Sequence, residues 1–115
     1  LKAVEKEDFI IPSYKGTNDV MTIFDKYQIQ PNIRFELFDE KGIVSMVAHH
    51  LGISILPRLV LNDLLPDNVR AIPFKEETFR TIGLSTTYNI SPAAEKFIEI
   101  LHNWLKENED NKLLL

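Results

Sequence analysis

The chain has 115 residues, 44% hydrophobic and 26% charged, with a formal net charge of −4 and no cysteine. That length bounds it to one domain or part of one, with enough apolar residues to bury a core. The acidic balance, without a basic cluster, argues against nucleic-acid binding by these residues; the missing cysteine excludes disulfides and thiol catalysis and fits a reducing compartment; and no apolar run approaches the roughly 18 residues of a membrane helix.

The elements are read in chain order. "DFIIP" (Asp8 to Pro12) is a short buried strand stopped by proline. "SYKGTND" is a polar loop in which Thr17 or Asn18 N-caps a helix carrying Val20, Ile23, Phe24 and Tyr27 at helical spacing. "IRFELF" (Ile33 to Phe38) alternates like a strand. Asp39 caps the next helix, read as Lys41 to Leu51, and Gly52 sits where a left-handed residue ends it. "ISIL" is a third strand stopped by Pro57, and "RLVLNDLL" a short helix. "VRAIPF" and "FRTIGLSTT" read as two more strands.

The last helix starts with Ser91 as cap and Pro92 at the first helical position. Ala94, Phe97, Ile98, Leu101, Trp104 and Leu105 form its apolar stripe, so Trp104 is expected to pack against apolar surface. Strands alternating with helices predict an α/β fold with a mixed, mostly parallel sheet covered by helices. Ligands of such sheets sit beyond the carboxyl ends of the strands. The loop after the first strand is therefore the place to look.

The paired histidines invite a metal or catalytic reading. At about 100° per residue, Ile43, Val44, Val47, Ala48 and Leu51 share one arc, His49 points away from it, and His50 lies at its edge beside Met46. Adjacent helix positions do not face each other, so the two rings do not converge on one ion, and His102 lies on another helix. His49 is read as a surface residue and His50 as a boundary one. No serine stands in a nucleophile elbow, and one glycine in "SYKG" makes neither a phosphate loop nor a dinucleotide fingerprint. No catalytic residue, metal or cofactor is predicted.

"GIVSMVAHHLGISILP" resembles the helix-strand segment of the effector-binding domain of LysR-type transcriptional regulators, with His50 where that family often has glycine. "LKAVEKEDFIIPSYKG", "VRAIPF" and "FRTIGLSTTYNISPAAEKFIEIL" resemble the flanking parts of the same domain, in the same order, to about Leu105. The resemblance implies one lobe of a type II periplasmic-binding-protein-like fold. Residues 1–108 would be the second lobe with its C-terminal strand-helix return, and 109–115 a tail.

It further implies a cytoplasmic, non-enzymatic sensor of a small, anionic effector. The pocket share of this lobe would be Pro12, Ser13, Tyr14, Lys15, Gly16 and Thr17. Backbone N–H groups at a helix start, hydroxyls and a lysine suit a small organic anion. DNA would be contacted only through an upstream winged helix-turn-helix, in keeping with a sequence that opens on Leu1 rather than methionine. The "IRFELF" strand and the helix after it would form a homodimer surface that includes Phe35, Met46 and His50. The other reading held open is a lobe of a periplasmic-type solute-binding protein, or of an enzyme on the same fold.

Overall fold

A strand buried on both faces has to be apolar at every position rather than at alternate ones. Phe9 to Pro12 of "DFIIP" meet that condition, and in the computed structural model, which describes residues 1–13, 18–75 and 78–108, this strand is the centre of a unit spanning Leu1–Arg80. Strand β1 runs Asp8–Pro12, and all four residues from Phe9 to Pro12 are buried. Strand β2, Asn32–Leu37, pairs with it in parallel. On the other edge of β1, Phe9 bridges Ile53, also in parallel: the Ile10 N–H donates to the Ile53 carbonyl and the Ile53 N–H to the Asp8 carbonyl, each at 2.9 Å.

The register carries one irregularity. Phe9 pairs with Ile33 and Ile10 with Phe35, so Arg34 is the extra residue of a bulge. Its guanidinium reaches back to the Asp8 carboxylate, which also accepts from Asn32 Nδ2 at 2.9 Å. A 3-10 turn over Lys2–Lys6 precedes β1.

Helix α1, Asp19–Tyr27, covers one face of β1. Of its periodic residues, Val20 and Phe24 are buried, and the Phe24 ring meets Phe9 edge-to-face at 5.1 Å. These two join Phe9, Ile11 and Ile29 in one cluster. Ile10 points the other way by strand alternation. On that side lies helix α2, Glu40–Ala48, with Ile43 and Val44 buried and its cap Asp39 accepting from the Gly42 N–H at 2.8 Å. A single turn, α3, spans Arg58–Leu61.

Three expectations are corrected here. "ISIL" is reduced to the one bridge at Ile53, the helix expected over "RLVLNDLL" to its first turn, and neither "VRAIPF" nor "FRTIGLSTT" forms a strand among the described residues. Strand propensity needs a partner edge to become a ladder. Ile72 and Phe79 instead stand 84% and 76% exposed.

A fourth correction concerns how helices end. The N–H of Leu51 donates to Met46 O and that of His50 to Val47 O, both at 3.0 Å. This is the paired-carbonyl ending that puts its left-handed residue one place past the cap. That residue is His50, with φ 59°, and not Gly52. Helix α1 ends the same way at Gln28, φ 52°, with buried Ile29 donating to Phe24 O at 2.9 Å. Gly52 serves another purpose. It has φ +153°, and a Cβ there would lie 2.4 Å from the Asp8 carbonyl oxygen.

A second unit begins at Thr81 and contains helix α4, Pro92–Glu107. Ser91 Oγ accepts from the Ala94 N–H at 3.3 Å, with proline in the first turn, as expected. None of its stripe residues is buried, and Trp104 is 45% exposed, so the predicted packing of Trp104 is not what this unit holds. Among the described residues of the unit, the extended segment Leu84 to Ile90 lines a groove together with Ala94, Phe97 and Ile98 of the helix. No helix among the described residues is long and apolar enough to cross a membrane.

The two positions near the end of α2 respond oppositely to substitution. Gly52→Ala forces backbone apart and is expected to cost about 2–4 kcal/mol. His50→Gly relieves a left-handed side chain, at some cost in unfolded-chain entropy, and is expected to stabilise by about 0.5–1 kcal/mol. Denaturation midpoints of both variants check this: equal shifts, or a destabilised His50→Gly, contradict the assignment.

Candidate functional site

In a parallel sheet every strand delivers its carboxyl end to the same edge, and each following helix starts there. The carboxyl ends of β1 and β2 lie side by side, with Pro12 paired to Leu37. The starts of α1 and α2 follow from them within a few residues. Residues at this edge therefore come from segments far apart in sequence.

Pro12 is fully buried and Ser13 is 8% exposed. The Ser13 N–H continues the ladder to Leu37 O at 2.7 Å. Its hydroxyl donates to Glu36 Oε1 at 2.5 Å. Asn18 closes the loop from the far side: its Oδ1 accepts from the N–H groups of Val20 and Met21, while its Nδ2 donates to Pro12 O at 2.9 Å. One amide side chain thus caps α1 and holds the end of β1. Tyr14, Lys15, Gly16 and Thr17 lie outside the described residues, so of the expected pocket residues only Pro12 and Ser13 are placed.

Two charged groups at this edge were not singled out from the sequence. Glu36 faces Ser13 from β2. Arg80 brings its guanidinium to the carboxylate of Asp19, the first residue of α1. Glu36 had a legible signal, since it is the acidic residue at the carboxyl end of a strand that pairs beside the loop. Arg80 had none, because it reaches α1 from 61 positions away in the chain.

The histidines sit elsewhere, at the last turn of α2. His49 Nδ1 lies 2.7 Å from Ser45 O, which fixes the ring against its own helix. His49 also lines an open groove of about 510 Å³ with Lys41, Ser45 and Asp63, where Asn68 Nδ2 donates to Ala48 O at 3.0 Å. Of the expected dimer residues, Phe35 and Met46 are half-buried and His50 is exposed. Met46 and His50 share the end of α2, and Phe35 lies on β2 with the Arg34 guanidinium 5.5 Å from its ring centre.

The family model for the LysR substrate binding domain matches residues 1–106. Neither the curated proteins nor the solved structures contain a match to the chain. The family match and the parallel α/β arrangement around β1 agree with each other, and with a periplasmic-binding-protein-like fold. The chain belongs to the LysR substrate-binding family and is an effector-binding domain of a LysR-type transcriptional regulator.

Proposed function

We propose that residues 1–108 act as the second lobe, with its C-terminal return, of a two-lobed sensor that binds a small organic anion and passes its occupancy to transcription. The observation that carries this is the family match over residues 1–106 on a chain whose two parallel strands end together beside the start of α1. The loop Pro12 to Thr17 leaves that edge, and Lys15 is its cation. A lysine ammonium stabilises an anion by charge-assisted hydrogen bonding. No catalytic step is assigned to the domain. DNA is contacted through an upstream winged helix-turn-helix, and the regulator works in the cytoplasm as a homodimer.

The dimer surface in this reading is the outer side of β2 with α2, including Phe35, Met46 and His50. Its support is that β2 has an unpaired edge among the described residues and that Ile33 on it is 44% exposed. An open, apolar strand edge is the kind of surface proteins cover.

Two measurements test the proposal in the full-length regulator. Lys15→Ala is expected to change stability by no more than about 0.5 kcal/mol and to weaken effector binding roughly 10- to 150-fold, read by calorimetry or promoter response. His49→Ala is the control and leaves that titration unchanged. A Lys15 variant that folds and responds at the wild-type effector concentration would falsify the site. For association, sedimentation is expected to give a dimer that Met46→Glu shifts toward monomer; a wild type that stays monomeric at high concentration removes the dimer surface.

A further inference from the structure

Hydrogen-bonding capacity at the carboxyl end of β1 is one-sided. Pro12 has no N–H to offer. The Ser13 N–H is taken by Leu37 O and its O–H by Glu36 Oε1. Asn18 Nδ2 donates inward, to Pro12 O. Both donors of Ser13 are therefore committed within the chain. Among the described residues at this strand end, what remains for a visitor is accepting capacity: the lone pairs of Ser13 Oγ and the rest of the Glu36 carboxylate.

Charge points the same way. The ion pairs among the described residues join Arg34 to Asp8, Arg80 to Asp19 and Lys96 to Glu99; none includes Glu36. The buried serine anchors one carboxylate oxygen, while Glu36 itself remains exposed. At Ser13 and Glu36 themselves a simple anion meets acceptors and a like charge. An ammonium group meets a carboxylate already held in place, and a charge-assisted bond is the stronger kind.

We propose that Glu36, positioned by Ser13, is the specificity-determining residue of this lobe, and that it selects effectors carrying an ammonium group beside their anionic one. The effector class is then amphoteric, of the amino-acid type. This rests on the reading above that the effector lies at this end of the sheet.

The test uses the full-length protein and matched ligand pairs that differ by the amine: glutamate against glutarate, leucine against isocaproate, phenylalanine against hydrocinnamate. Calorimetry is expected to give, for at least one pair, an amino member bound about tenfold or more tightly than its partner. Glu36→Gln keeps an acceptor for the Ser13 hydroxyl and removes the charge. It is expected to weaken that amino ligand by roughly 10- to 100-fold and to erase the preference. Ser13→Ala removes the hydroxyl that holds Glu36 and is expected to reduce the preference without erasing it, since the carboxylate charge remains.

A panel in which no amino member binds overturns the amphoteric class, as does a des-amino acid bound equally well. A preference that survives Glu36→Gln overturns the role of Glu36. Lys15→Ala separates the two levels. If a bound ligand ignores both Lys15→Ala and Glu36→Gln, the effector placement itself fails. If Lys15→Ala weakens it and Glu36→Gln does not, only the present proposal falls.

Discussion

Gly52 lies against the backbone of Asp8 so closely that any side chain there would overlap the Asp8 carbonyl. That approach lets the Ile53 N–H reach Asp8 O and the Ile53 carbonyl receive the Ile10 N–H. Through it β1 acquires pairing on both edges and becomes an interior strand. Asp8 is the shared point: its carbonyl holds the Ile53 segment, and its carboxylate holds Asn32 and Arg34 of β2. Phe24 on one face and Ile43 on the other are buried because β1 stands between them.

The turn out of α2 serves the same end. Only four residues separate Ala48 from Ile53, and in that space the chain must leave the helix and come alongside β1. The left-handed residue at His50 turns it, and Gly52 then permits the close approach. The His49 ring is tied to Ser45 O of its own helix. Of the adjacent histidines, His50 is the left-handed residue that terminates the helix and His49 is its cap.

In the proposed reading one edge of the sheet stays open to a ligand while the rest is buried behind it. The parallel order does this by bringing the strand ends and helix starts to one side. What the edge offers chemically depends on which backbone and hydroxyl groups are already spent. At Pro12 and Ser13 the donors are consumed by Leu37 and Glu36, leaving acceptors at the surface. The loop that follows brings a lysine.

The sequence by itself determined the features whose causes are local. Asn18, Asp39 and Ser91 cap the helices they precede because a cap needs only a side chain within three residues of its N–H. The apolar run of "DFIIP" announced a buried strand, and Val20 and Phe24 at helical spacing the helix over it. The order and spacing of several such stretches pointed to the family, with loop residues 14–17 outside what the structure describes. Only the tertiary structure decided the rest. Whether "ISIL", "VRAIPF" or "FRTIGLSTT" becomes a strand depends on a partner edge that propensity cannot supply, and just Ile53 found one. Gly52 looked like a helix end because its role, clearance from Asp8, lies 44 positions away in the chain and leaves no local trace. Trp104 has the spacing of a packed residue, but spacing says which way a side chain faces and not what covers it. Ser13 and Glu36 meet only through the register of β1 on β2, which is set by long-range pairing.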